Sequence, residues 1–113
     1  MLLKLRVQLI MTVPTTSAAK LKILADRTRL SVMECLLEAP KHVGELAELL
    51  KVEQSLLSHH LKVLREAGLV VAIRDGKAVL YRLAPEVESL KEKKVLNLGS
   101  YQVLFQRAKQ GTD

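Results

Sequence analysis

The chain has 113 residues, of which 49% are apolar but only 3% aromatic, with no tryptophan. A single domain of this size must fill its core with leucine, valine, isoleucine and alanine, which favours a mainly helical protein. The 18 basic and 12 acidic residues give a net charge of +6. An anionic partner is therefore expected, with nucleic acid the first candidate and a membrane surface the second.

Cysteine content and hydropathy exclude two further classes of protein. The single cysteine, Cys35, rules out a disulfide framework within the chain and fits a reducing compartment. No apolar run approaches the roughly 18 residues of a spanning helix. Lys4 and Arg6 interrupt the apolar opening segment, which therefore predicts neither a membrane helix nor a good signal peptide. The expected location is the cytoplasm.

Residues 1–16 are predicted to be an extension that precedes the domain. Residues 2–10 alternate apolar and polar side chains with the period of a β-strand, although a helix can be drawn through them as well. Met11 is a second candidate for the true start. The segment from Thr12 to Ser17 contains Pro14 and is typical of a flexible link. The conformation of this extension stays open.

Two helices are predicted in the segment that follows. Ser17 suits the N-cap of a short helix that ends at Leu24, with Leu21 and Leu24 facing inward. Asp26 is the expected N-cap of the next helix, which has to stop before Pro40. Four residues form the apolar face of this second helix: Leu30, Met33, Leu36 and Leu37.

A helix-turn-helix is predicted over residues 43–67. VGELAELL, at Val43 to Leu50, has the period of a short amphipathic helix, and Gln54 to Ala67, closed by Gly68, has that of a longer one. The linker between them is too short for anything but a tight corner. Two helices so joined, the second with a polar face, are the DNA-binding arrangement. The core face of the second helix carries Leu57, Leu61 and Leu64.

The polar face of this second helix offers hydroxyls, an amide, an imidazole and a lysine, which suit base edges and phosphates. His60 falls instead on the apolar arc, where a packed histidine with a satisfied nitrogen is expected rather than a base contact. His59 and His60 point about 100° apart, so they cannot jointly chelate one metal ion. The candidate DNA-binding residues of the helix are Gln54, Ser55, Ser58, His59 and Lys62.

A β-hairpin is predicted directly after the helix-turn-helix. Residues 69–74 and 78–83 are rich in β-formers and flank the sequence Arg74-Asp75-Gly76-Lys77. Asp-Gly between two such runs is the strongest short hairpin signal. Arg74 and Lys77 bracket the turn, where a solvated tip could carry their charges but a phosphate or a narrow minor groove would use them better. We therefore predict a wing in which both residues bind DNA.

Four segments in this order, LADRTRLSVMECLLEAP, VGELAELL, SLLSHHLKVLREAGLV and RDGKAVLYRL, resemble the winged helix-turn-helix of ArsR/SmtB-type repressors. The resemblance covers Leu21 to Pro85. It implies a mainly α fold with about five helices and a two-stranded β-hairpin wing. Arg27 replaces the proline that commonly follows the capping aspartate of the family. His42 and Glu53 stand where serine or threonine would cap the two helices, and Glu53 brings negative charge near DNA.

The resemblance also divides the chain into an extension (1–16), a winged helix-turn-helix DNA-binding core (17–85) and a dimerisation segment (86–113). In the family the N- and C-terminal helices form the dimer interface, which implies a homodimer. Glu86 to Asn97 has the period of a final helix, which Gly99 interrupts. Tyr101 to Phe105 alternates weakly and can run extended, so the conformation of residues 99–113 stays open.

The effector is unknown. Soft-metal sensors of the family carry Cys-x-Cys on the helix that corresponds to Val43–Leu50, which contains no cysteine here. Other members use Asp, His and Glu of the last helix, yet residues 86–105 contain neither His nor Asp. We therefore predict neither of these metal sites and no cofactor. Cys35, expected to lie with Val32 away from the main apolar face, is interpreted as a packing residue, with a thiol that pairs across a dimer as the alternative.

Together these patterns favour a sequence-specific transcriptional regulator, a dimeric repressor that binds an inverted repeat in double-stranded DNA. They do not fix the operator, nor repression as opposed to activation. A module that uses the same fold for protein contacts is the alternative, against which the basic wing and the polar helix face argue. An enzyme is disfavoured because the chain has no nucleophile with a placed base, no phosphate-binding glycine loop and no metal cluster.

Overall fold

The computed structural model describes residues 16–88 and 94–106. The helices of these residues are α1 (Ser17–Ile23), α2 (Arg27–Glu38), α3 (Val43–Leu50) and α4 (Gln54–Glu66). Their strands are β1 (Lys41–His42), β2 (Val70–Asp75), β3 (Ala78–Leu83), β4 (Val95–Asn97) and β5 (Gln102–Leu104). The order confirms the predicted winged helix-turn-helix. In this part of the chain there are four helices rather than about five.

The wing forms as predicted, in an antiparallel sheet with the strand order β1-β3-β2. Asp75 pairs with Ala78 across the two-residue turn. Gly76 has φ = 63° there, a left-handed conformation that glycine adopts without a steric cost. A third strand, which the sequence does not predict, adds Lys41 opposite Tyr81. This short strand fastens the wing to the start of α3.

One apolar cluster joins the helices to the base of the wing. The three leucines predicted for the core face of α4 are each 0% exposed. Full burial of a leucine stabilises the fold by about 1.5–3 kcal/mol, so this face holds α4 firmly against the domain. Buried residues from the other elements complete the cluster: Val32, Met33, Leu36 and Leu37 of α2, Leu46 of α3, and Leu69, Val70 and Leu83 of the wing.

The N-cap of α1 is Thr16, and the prediction of Ser17 is wrong. The Thr16 hydroxyl accepts from the backbone N–H of Ala19 at 3.2 Å. Ser17 has other partners, because its hydroxyl donates to the Leu98 carbonyl at 2.6 Å and accepts from the Ser100 N–H at 3.0 Å. The serine therefore ties α1 to the turn between β4 and β5.

Burial on the first two helices departs from prediction at two positions. Leu21, expected to face inward, is 41% exposed, whereas Leu24 is buried as predicted. Val32, expected to lie away from the core, is 0% exposed. The reason is that α2 packs against α3, α4 and β3, so a wider arc of its surface is covered than a single apolar stripe would require.

The helix predicted from Glu86 to Asn97 is wrong where the structure describes this segment. The chain makes a turn in which the Val87 N–H donates to the Ala84 carbonyl, and β4 then pairs with β5. Gly99, with φ = 100°, and the Asn97 side chain, which accepts from the Gly99 N–H at 3.0 Å, reverse the chain. For residues 101–105, whose conformation the sequence leaves open, the structure shows the extended alternative, with β5 at Gln102–Leu104.

Some predicted features lie outside the described residues. They are the extension up to residue 15, the middle of the predicted final helix at 89–93, and the chain after residue 106. Within the residues that are described, no helix is long and apolar enough to cross a membrane.

Candidate nucleic-acid interface

The corner between α3 and α4 has the tight geometry that the sequence predicts. At the start of α3 the His42 N–H donates to the Glu45 carboxylate at 2.8 Å, which is half of a capping box. At its end Lys51 adopts a left-handed φ of 56°, and the Val52 N–H bonds back to the Ala47 carbonyl. Only three residues separate the two helices, so α3 fixes the start of α4.

The polar face of α4 is exposed as a continuous stripe. Its residues follow the spacing i, i+3, i+4 and i+7, which places them on one side of a helix. The opposite side is the leucine face in the core. Every one of the seven candidate residues on α4 and the wing is exposed: Gln54, Ser55, Ser58, His59, Lys62, Arg74 and Lys77.

Glu53 is the N-cap of α4, but its carboxylate does not cap the helix. It accepts a hydrogen bond from the Ser55 hydroxyl at 2.8 Å instead. To donate to a base or a phosphate, Ser55 has to leave this partner. The carboxylate still lies at the positive end of the helix dipole, which favours it there. Ser58 and His59 are thus better placed than Ser55 to contact a ligand.

His60 is partly buried, and its Nδ1 accepts a hydrogen bond from Arg29 Nε at 3.0 Å. This confirms the prediction of a packed histidine with a satisfied nitrogen. Arg29 also donates from Nη1 to the Ile23 carbonyl at 3.1 Å. Arg29 lies 31 residues from His60, and no local spacing in the sequence connects the two residues.

Asp26 caps α2 as predicted, since its Oδ1 accepts from the Arg29 N–H at 3.0 Å. That hydrogen bond is the main reason why the pKa of the Asp26 carboxyl lies below its usual value. Desolvation works in the opposite direction, and the positive charge of the Arg29 guanidinium adds to the lowering of this pKa. The carboxylate is therefore held in its ionised form close to the back of α4.

The wing tip carries an acidic group between its two basic ones. Asp75 Oδ2 lies 3.3 Å from His42 Nε2, and His42 Nδ1 lies 3.0 Å from the Val79 carbonyl oxygen. His42 is therefore the N-cap of α3 and also connects β1 to the end of β2 through its ring. When this imidazole is protonated it offsets the charge of Asp75, which leaves Arg74 and Lys77 to dominate the tip.

Cys35 is half-buried on α2, and desolvation raises the pKa of its thiol. Since the thiolate is the reactive form, this environment suits the interpretation of a packing residue. The rings of His59 and His60 are 6.0 Å apart between centroids and tilted by 58°. In the described part of the chain, no three His, Cys, Asp or Glu side chains are grouped so that they could hold a metal ion.

The sequence of the chain is similar to those of known proteins of one family. The sequence model of bacterial regulatory proteins of the arsR family matches residues 26–71. The HTH-type transcriptional regulator NmtR of Mycobacterium tuberculosis is 44% identical over 66 residues, which are 58% of this chain and 55% of that protein. The chain thus spans about half the length of the curated relatives that it matches.

Two solved structures share the fold. The transcriptional repressor BigR from Xylella fastidiosa superimposes with a TM-score of 0.60 and 37% identity, covering 66% of this chain and 75% of that chain. The homodimeric winged helix-turn-helix DNA-binding domain of Mb0332 from Mycobacterium bovis, described as a possible ArsR-family transcriptional regulator, has a TM-score of 0.59 and 30% identity. The match covers 64% of this chain and 68% of Mb0332.

Proposed function

Since the chain belongs to the ArsR family of bacterial regulatory proteins, we propose that it regulates transcription in the cytoplasm by binding double-stranded DNA, and that it is not an enzyme. The observation that carries this proposal is the exposed polar stripe of α4, on the second helix of a helix-turn-helix. That helix is the one that enters the major groove in this arrangement. The net charge of +6 adds the sequence-independent attraction to phosphates.

The two exposed surfaces have different tasks in this proposal. The side chains of α4, from Gln54 to Lys62, contact base edges and nearby phosphates, and so they read the sequence. Arg74 and Lys77 contact phosphates or a narrow minor groove, and so they position the domain. Asp75 lies between these two cations in sequence, and its carboxylate oxygen Oδ2 is 3.3 Å from His42 Nε2.

We propose further that two copies bind an inverted repeat and occlude a promoter. A symmetric dimer presents two recognition helices to two half-sites, which matches the symmetry of an inverted repeat. BigR is named as a repressor and the Mb0332 domain as a homodimer, which supports this proposal. In this chain Leu21, Tyr101 and Leu104 are 41%, 46% and 55% exposed, and Ser17 links the two segments that carry them. A second copy would cover this apolar surface, which includes part of residues 86–113.

The wing test uses the salt dependence of DNA binding. Arg74→Gln and Lys77→Gln should each weaken binding to all sequences alike and lower the slope of log K against log salt by about one unit, because each removes one phosphate contact. Asp75→Asn is the matched control at the same turn, since it removes a negative charge and should leave the slope undiminished. Fluorescence titrations at several salt concentrations measure these slopes. If these two variants lost affinity for the operator alone, the wing would read the sequence and α4 would position the domain.

The effector test is a metal panel. Because α3 has no cysteine and residues 86–105 contain neither His nor Asp, we expect Zn²⁺, Cd²⁺ and As(III) not to release the protein from its operator. The same titration with oxidants, on the wild type and on Cys35→Ser, tests the remaining thiol. Stoichiometric binding of a metal that abolishes the DNA complex would show that a site assembles between two copies.

A further inference from the structure

A junction of three helices lies behind the exposed stripe of α4. Arg29, in the first turn of α2, donates from Nε to His60 Nδ1 in the middle of α4. The same guanidinium donates from Nη1 to the Ile23 carbonyl at the end of α1. Both hydrogen bonds are partly buried. A single side chain thus connects α4 to the helix that leads toward the proposed dimer surface.

The Arg29–His60 bond defines the protonation state of His60. An arginine Nε–H can only donate, so His60 Nδ1 has to accept and carries no proton. While this hydrogen bond is made, the ring has its proton on Nε2 and its lone pair on Nδ1. A protonated His60 would have a hydrogen on both ring nitrogens and no lone pair for Arg29. Protonation of His60 would therefore replace its hydrogen bond with Arg29 by repulsion between two cations.

The position of His60 couples this junction to the DNA-facing stripe. His59 is its neighbour in sequence and lies on the exposed side, so the orientation of one ring about the helix axis determines that of the other. We propose that Arg29 and neutral His60 are the positioning pair of the recognition helix α4, and that uptake of a proton by His60 weakens DNA binding. This inference rests on the proposed function.

The charged groups near His60 determine how strongly its protonation weakens DNA binding. They are Arg29 of α2, the α2 N-cap Asp26, and the exposed His59 of α4, whose ring centroid lies 6.0 Å from that of His60. The last turn of α1, whose Ile23 carbonyl accepts from Arg29, carries Lys20 and Lys22. Asp26 is the anion of this group, and its carboxylate already accepts the Arg29 N–H that caps α2. It can therefore offset only part of the repulsion between Arg29 and a protonated His60.

The direction in which DNA affinity changes in acid distinguishes loss of the Arg29–His60 bond from the general attraction between a basic protein and DNA. A proton added to an exposed side chain of α4 adds positive charge and strengthens the attraction to phosphates. Protonation of His60 acts the other way, because it removes the bond that orients α4. A loss of affinity in acid therefore reports on His60.

The test compares operator affinity at about pH 8 and about pH 5.5, on either side of the range in which imidazoles usually titrate. The wild type should bind about tenfold more weakly in acid, the equivalent of one net hydrogen bond. His60→Asn places an amide oxygen near the position of Nδ1, where it accepts from Arg29 without titrating. This variant should keep the affinity of the wild type at about pH 8 and lose the fall in acid. Arg29→Met, which deletes both bonds, should bind weakly at both pH values.

His59→Asn is the matched control on the neighbouring ring. It should bind more weakly at both pH values yet keep the fall in acid. Unchanged or tighter binding of the wild type in acid, or an equal fall in His60→Asn, would overturn the inference while DNA binding stands. A loss of helical circular dichroism in the wild type at the lower pH would overturn it too, because unfolding would then explain the weaker binding. If no DNA is bound at either pH, the proposed function itself fails.

Discussion

Replacing His59 by alanine is expected to weaken operator binding by about 1–3 kcal/mol and to leave binding to unrelated DNA almost unchanged. The same result is expected for Ser58→Ala. Both side chains are exposed on the face of α4 opposite the buried leucines, so alanine removes a contact with a base edge without disturbing the core. Ser55→Ala should cost less, since the Ser55 hydroxyl already bonds to Glu53 at 2.8 Å.

Competition titrations with the operator and with a scrambled duplex measure this difference. Glu66→Gln is the control, because Glu66 is exposed at the end of the same helix but lies outside the candidate set. Its effect on the ratio of specific to non-specific affinity should be small. If His59→Ala and Ser58→Ala weakened both duplexes equally, α4 would be a phosphate-binding element and would not read the sequence.

Replacing Leu96 by alanine is expected to lower the free energy of unfolding by about 2–5 kcal/mol. Leu96 is 0% exposed and belongs to the central core cluster, so β4 is part of the domain and more than a tail. Leu104→Ala is the matched change on the paired strand β5, where the side chain is 55% exposed. It should change the stability of the folded monomer by only about 0.5 kcal/mol but weaken the dimer, and with it operator binding.

Denaturant unfolding at fixed protein concentration and sedimentation equilibrium separate these two effects, because dimer stability depends on concentration. A Leu104→Ala variant that remained fully dimeric would show that the β4–β5 hairpin is not the dimer surface. A Leu96→Ala variant that lost little stability would show that the hairpin does not pack on the core in solution.

Sequence reasoning succeeds here where the signals are local. The amphipathic period of α3 and α4 predicts both helices and the leucine face of α4, since one buried stripe suffices to hold a helix at the surface of a domain. Asp75-Gly76 predicts the wing for a similar reason, because a two-residue turn largely determines the register of the strands beside it. The exposure of the candidate residues follows from these elements.

Sequence reasoning fails where contacts between distant residues decide. Residues 95–97 have a helical period but pair as a strand, because Leu96 and Leu98 are buried in the core and Ser17, 81 residues away from Leu98, holds the turn. The hydrophobic period of a segment carries no information about a partner so far away in the sequence. The Arg29–His60 bond and the reach of His42 to the wing are missed for the same reason.

The central claim is that α4 reads DNA sequence within a dimer. An equilibrium titration of the wild type against an inverted repeat from its upstream DNA, and against a scrambled duplex of equal composition, tests this directly when salt is varied. We predict two chains per duplex, binding to the repeat about a thousandfold or more tighter than to the scrambled duplex, and log K falling linearly with log salt. Equal affinity for both duplexes, or no binding at about 50 mM salt, would contradict the claim.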